Sequence, residues 1–226
     1  MPASSSRNRE HALRGLLLGT PRKVLARILP GDPLGLRQRV ATGLDRRSLA
    51  LDPDESHLAA LARVAHAASR WSGAEPLAGW LDRQVDAALD DRMREEAHAV
   101  RDGAAVGEGP SVLRDLARPL EVGPEQLRAA CAALNQRPTV ERRAFVRVVL
   151  DREDPEDAAR AEGVSLNALA CRARDALLAV LEAFESTPWD RSTTSAWPAP
   201  AVREASNQTQ DPRTPNDTQG NSDERS

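Results

Sequence analysis

Apolar residues along this chain recur at intervals of three and four, with polar residues between them. The clearest run follows Glu75-Pro76, where Leu77, Trp80, Leu81, Val85, Ala88 and Leu89 form one stripe of a helix reaching about Val100. Thr20-Pro21 supplies an N-cap and a favoured first helical position before "RKVLARIL", and Pro30-Gly31-Asp32-Pro33 ends that helix. Asp52-Pro53 opens a helix to about Ser69. Ser111 caps a short helix, "VLRDLARPL", and Gly123-Pro124 opens another to about Asn135. Thr139 is placed to cap a helix carrying Val140, Phe145, Val148, Val149 and Leu150. No stretch alternates with the two-residue period of a strand, so the pattern predicts an all-α chain.

The last helical stretch is the most informative. In "EDAARAEGVSLNALACRARDAL", residues 156–177, Asp154-Pro155 opens a two-turn helix that ends near Gly163. Glycine there permits the left-handed conformation that reverses a chain. Ser165 caps the final helix, on which Leu166, Leu169, Ala173, Ala176, Leu177, Val180 and Phe184 share one face. Asn167, Ala170, Cys171 and Arg174 point elsewhere, with Arg172 near the boundary. A helix, a sharp turn and a second helix with a polar outer face suit a DNA-reading helix-turn-helix. They suit a plain helical hairpin as well.

These elements group into a basic N-terminal helical segment (1–51), a helical module (52–101), a Gly-rich linker with a short helix (102–123) and a helix-turn-helix module (124–186). Residues 187–226 turn to Ser, Thr, Pro, Asn, Asp and Gln. Such a composition cannot offset the entropy of ordering and reads as a disordered tail.

Composition narrows the function. Aromatic residues make up 3% of the chain and Tyr is absent, so the core must be built from Leu, Val and Ala. Residues 1–49 carry ten basic side chains against three acidic, and residues 50–122 carry eight against fourteen. The basic segment suits nucleic acid or a solvated arm. The apolar run Leu16-Leu17-Leu18 is too short for a signal peptide or membrane span, and Cys131 and Cys171 match no metal spacing. A cytoplasmic location is expected, with no membrane partner. His57 and His66 have no ligand set around them. No phosphate loop, nucleophile motif or catalytic carboxylate pair is recognisable, and Asp90-Asp91 and Glu95-Glu96 read as helix surface. No enzyme activity, cofactor or small-molecule substrate is expected.

Two stretches carry a resemblance. From Leu134 to Leu181 the chain resembles the promoter-reading C-terminal domain of bacterial RNA polymerase sigma factors of the extracytoplasmic-function class. Phe145 stands at that domain's Phe, Asp154 at its helix-capping Ser, and Glu156, Asp157, Ala158 and Ala159 at Glu-Glu-Ile-Ala. Gly163-Val164 match Gly-Ile, Leu169 matches the Val of the last helix and Arg172 its Arg. Upstream, "SRWSGAEPLAGWLDRQVDAALDDRMREE", residues 69–96, is similar to the end of the family's core-binding domain. Trp71, Gly73, Leu77, Trp80, Leu81, Arg83, Asp90 or Asp91, Arg92 and Arg94 take its places.

The resemblance implies a transcription initiation protein whose partners are promoter DNA and the RNA polymerase core, with an anti-sigma factor as a further partner it allows. It assigns DNA contact to Ser165, Asn167, Ala168, Cys171, Arg172 and Arg174. Trp71, Trp80, Arg83, Arg92 and Arg94 become candidates for DNA melting or polymerase docking. Trp71 and Trp80 read more readily as helix–helix core, because stacking on bases needs exposure. Departures keep a second reading open. "HLAALARVAHAA" lacks the family's acidic and Gln docking positions, and the helix from Ser165 to Phe184 has two Arg against two acids. Both suit a sigma-like protein-interaction module without DNA binding. Glu162 replaces a core Leu, so it must reach solvent or a cation, since a buried unpaired carboxylate costs several kcal/mol.

Overall fold

Most helix starts fall where the sequence places them, and one helix, from Leu36, lies where it predicts none. In this computed structural model, residues 12–103 and 111–186 are described, and all of them belong to one compact unit. The tail at 187–226 and most of the 102–110 stretch lie outside them. A helical turn at 12–16 leads into α1 (Pro21–Ile28), α2 (Leu36–Arg47), α3 (Pro53–Ala67) and α4 (Leu77–Arg101). After 104–110 come the short α5 (Arg114–Ala117), α6 (Pro124–Gln136), α7 (Thr139–Phe145), α8 (Pro155–Glu162) and α9 (Leu166–Ser186). Every regular element among the described residues is helical.

Capping explains where the helices begin. Asp52 accepts hydrogen bonds from the Asp54 and Glu55 amides at 2.9 and 2.8 Å, satisfying orphan donors at the start of α3. Asp32 does the same for α2, accepting from Leu36 and Arg37 at 2.8 Å each. Two expected caps are absent: the Thr20 side chain makes no capping hydrogen bond at the start of α1, and Thr139 makes none at α7. The Thr139 hydroxyl accepts from Arg142 and does not close α7, which follows Pro138. The stretch after Ser111 is a series of tight turns around α5. Its Leu113 and Ala117 are wholly buried, so it is part of the packing and not a free linker.

The first four helices share one core, which includes Leu17, Val24, Ile28, Leu36, Val40, Leu61, Val64, Trp80, Leu81 and Leu89. The boundary drawn at 51/52 therefore runs through that core, where Leu49, Ala50 and Leu51 are all buried. Gly43 lets α2 lie close on α4, since a Cβ there would stand 2.9 Å from Leu89 Cδ1. Outside this contact the same two helices form an ion-pair ladder. Arg39 pairs with Asp82, Arg46 with Asp86 at 2.7 Å, and Arg47 with Asp90. The acids are spaced i, i+4, i+8 along α4 and so stand on one face. Each exposed rung contributes only about 0–1 kcal/mol, and the ladder chiefly fixes register.

Three buried polar side chains join these helices to the rest. The Asn135 amide, at the end of α6, donates to the Ala50 carbonyl at 3.0 Å and accepts from the Ala50 amide at 2.8 Å. Arg142, on α7, donates to the Arg47 carbonyl from Nε at 3.0 Å and from Nη2 at 2.8 Å. It also donates to the carbonyls of Asn135 and Arg137. Glu96, on α4, accepts from Arg128 on α6 at 2.9 and 3.0 Å and from Arg92 at 2.8 Å. The hydrogen bonds from Arg128, foremost, hold the Glu96 carboxyl below its ordinary range, although its burial works the other way.

A small second core lies under the last three helices, formed by Ala144, Ala158, Ala159, Leu169 and Ala173. Two apolar residues expected inside are outside. Leu166 is 47% exposed and Val140 is 46% exposed, each in the first turn of its helix. Only one stripe of a helix can face its neighbours, and at these ends no neighbouring element covers it.

Two measurements test these joints. Asn135→Ala leaves the buried Ala50 amide and carbonyl unsatisfied and should lower stability by about 2–4 kcal/mol in urea unfolding. A loss under ~0.5 kcal/mol would show that the joint is not formed. Glu96 has a depressed pKa in the folded state. Its contribution is therefore complete above the unfolded carboxylate value of about 4.3 and is lost as pH falls through the folded value. Glu96→Gln should be less stable than wild type at pH 7, and the gap should narrow at pH 3.

Candidate nucleic-acid interface

The chain reverses between α8 and α9 through three residues. Asp154 caps α8, accepting from the Glu156 and Asp157 amides at 2.9 and 3.2 Å. Gly163 ends α8 with φ +65°, the left-handed conformation expected of it. The Val164 amide donates to the Ala159 carbonyl at 3.0 Å, closing the turn, and half-buried Val164 packs on the small core. The Ser165 hydroxyl accepts from the Ala168 amide at 3.2 Å and caps α9.

The inner face of α9 is fixed by burial of Leu169, Ala173, Ala176, Val180 and Phe184. Its outer face carries Ser165, Asn167, Ala170, Cys171, Arg174 and Asp175, all exposed, while Ala168 and Arg172 are half-exposed at the edge. Among the described residues, Arg172 and Arg174 have no ion-pair partner. Most of the other described arginines in this half of the chain are occupied. Arg128 is held by Glu96, Arg137 by Glu141, Arg160 by Asp157, and Arg142 by backbone carbonyls. Arg147 binds Glu153 at 2.7 Å and Glu162 at 3.0 Å, and Arg143 binds Glu162 at 3.3 Å. Glu162 is thus paired with two cations, which answers its departure from a core Leu.

Two further cations of this half without a partner among the described residues, Arg118 and Arg152, are not singled out by the sequence. Arg152 is exposed in the turn before α8, with φ +54°. The charged run Asp151-Arg152-Glu153-Asp154 marks a turn but gives no sign of which member stays unpaired. The pattern also missed Leu178, 43% exposed on α9 beyond the arginines.

The upstream candidates lie differently. Trp80 is 5% exposed, with its ring centroid 5.8 Å from that of Trp71. The guanidinium of Arg14 stands 5.1 Å above the half-buried Trp71 ring. Stacking on a base needs an open ring face, and Trp80 offers none, so its burial serves the core. Arg92 binds Glu55 at 2.5 Å and Glu95 and Glu96 at 2.8 Å each. Arg83 pairs with Glu75, and Arg94 with Asp91. Arg83 and Arg94 remain exposed, whereas Arg92 is mostly enclosed by its three carboxylates. The structure does not bring these five residues together with the α9 face as one site.

No protein-family model, curated protein or solved structure matches the chain. The candidate interface therefore stands on its own geometry: a capped helix whose outward first turns present one amide, one thiol and two uncommitted guanidinium groups. Among the described residues no helix is long and apolar enough to cross a membrane.

The left-handed turn aims this helix. Gly163→Val forces a β-branched residue to φ +65°. A Cβ there meets nothing within 4 Å, so the penalty is backbone strain alone, more than ~1 kcal/mol. Gly163→Asn should cost less. Equal stability of Gly163→Val and wild type in thermal unfolding would mean that the chain does not reverse through this conformation.

Proposed function

We propose that the chain is a sigma-factor-like transcription initiation protein that reads promoter DNA with α9. One observation carries this reading. The outward face of α9 keeps Arg172 and Arg174 free of carboxylate partners, in a protein that pairs most of its other arginines. A guanidinium left unpaired on a capped helix is ready for a phosphate or the O6/N7 edge of guanine. Asn167, two residues beyond the Ser165 cap, is placed to reach a base edge, and the positive end of the helix dipole favours nearby phosphate. The helices before it would act as the scaffold that docks on RNA polymerase. In this reading Trp71 and Trp80 support that scaffold and do not melt DNA themselves.

A second reading has its own observation. Leu166 and Leu178, 47% and 43% exposed, flank Ala170 and Cys171 on α9, and Asp175 stands beside Arg174. That mixed surface suits a helical protein-interaction module without DNA binding.

Fluorescence anisotropy on a promoter pool at two salt concentrations separates the two. Arg172→Ala should reduce the slope of log affinity against log salt by roughly 1 if it holds a phosphate, or weaken binding by about 1–3 kcal/mol if it holds guanine. Arg172→Ala with Arg174→Ala should abolish sequence-specific binding while the circular dichroism spectrum stays unchanged, because Leu169, Ala173 and Val180 keep the inner face. Asp175→Arg should tighten binding. A wild-type chain that binds no DNA at low salt, with or without polymerase, and an Asp175→Arg variant that behaves the same, would leave the interaction module as the function.

A further inference from the structure

A groove of about 760 Å³ runs where α4, α6 and α9 meet. Its walls are small and apolar: Ala97 and Val100 from α4, Ala129, Ala132 and Ala133 from α6, and Ala183 from α9. Such walls leave room for one large side chain. Two charged residues of opposite sign also line it. Arg101 donates only to the Ala97 carbonyl and the His98 ring and meets no carboxylate among the described residues. Glu125 is exposed and meets no cation among them. These two stand out against the paired charges of the rest of α4 and α6, such as Glu96, Arg92 and Arg128.

We infer that this groove holds the chain's own segment Trp189-Asp190-Arg191, with the indole among the alanines, Asp190 against Arg101 and Arg191 against Glu125. Ala183 lines the groove, and α9 ends three residues later at Ser186. Pro188 has no amide hydrogen with which to extend α9. Trp189 is three residues past Ser186, and three residues of chain reach about 10 Å at most. The chain has four Trp and two Phe, and Trp189 is the first large apolar residue after Phe184. An indole followed by one acid and one base matches an apolar groove lined by one base and one acid. Docked there, the segment would clamp α9 to α4 and α6. The inference is independent of whether α9 reads DNA.

The test uses the full chain and its tryptophan fluorescence, with the share of Trp189 taken as wild type minus Trp189→Ala. That share should be blue-shifted and shielded from acrylamide compared with tryptophan in the urea-unfolded chain. Ala133→Glu places a carboxylate in the groove and should move the share to the red and expose it. Trp189→Ala should lower the melting temperature by roughly 3–6 °C, the effect of one large partly buried side chain in a chain of this size. It should lower it no further in the Ala133→Glu background. If Ala133→Glu disturbs the fold, charge exchange replaces it: Arg101→Glu should expose Trp189, and adding Asp190→Arg should shield it again. A Trp189 share already matching the unfolded chain in wild type overturns the inference. So does shielding carried by Trp197 in its place, or shielding that weakens on dilution, which would mark the groove as occupied by a second copy.

Discussion

The buried guanidinium of Arg142 is the constraint on which the arrangement of the helices depends. It has no carboxylate. Burial lowers its pKa, and the nearby Arg47 lowers it further, so the charge must be stabilised by dipoles. It finds them at two helix ends. The last carbonyls of a helix have no partner within it and carry the negative end of its dipole. Arg142 donates to Arg47, the last residue of α2, and to Asn135 and Arg137 at the end of α6. The adjacent Arg143 donates to the Arg46 carbonyl at 2.9 Å. Two helix ends are thus closed by one pair of side chains from a third helix. The Asn135 amide completes the joint on Ala50.

Charge use follows from that arrangement. The basic N-terminal segment and the acidic stretch after it are partners and not separate surfaces, since α2 and α4 face each other across the ladder of Arg39, Arg46 and Arg47 with Asp82, Asp86 and Asp90. Three of the ten basic side chains of residues 1–49 are neutralised there. Among the described residues Arg22 and Lys23 on α1, Arg70, Arg118, Arg152 and, on α9, Arg172 and Arg174 have no carboxylate partner. α9 itself offers two such cations, so a DNA-reading role would lean on the polymerase to hold the protein in place.

The helix-by-helix pattern was legible because its causes are local. Asp52, Asp154 and Ser165 cap helices through amides two or three residues away, and Gly163 reverses the chain through its own φ. The inner face of α9 followed from its 3.6-residue period, and Asn167, Cys171 and Arg174 fell outside it as expected. Leu166 and Val140 did not follow, because the period says which residues share a face and not how far a neighbouring helix covers it.

The sequence by itself determined that the described chain is helical, where α1, α3, α4, α6, α8 and α9 begin, and which face of α9 is turned outward. Tertiary structure alone decided which charges meet. Arg142 and Arg47 are 95 residues apart, Asn135 and Ala50 are 85 apart, and Glu96 and Arg128 are 32 apart. An arginine that caps a helix end, one that closes a ladder and one left free for a ligand have the same side chain and the same local sequence signal. They differ only in what packing brings within 3 Å, and that is set by the core.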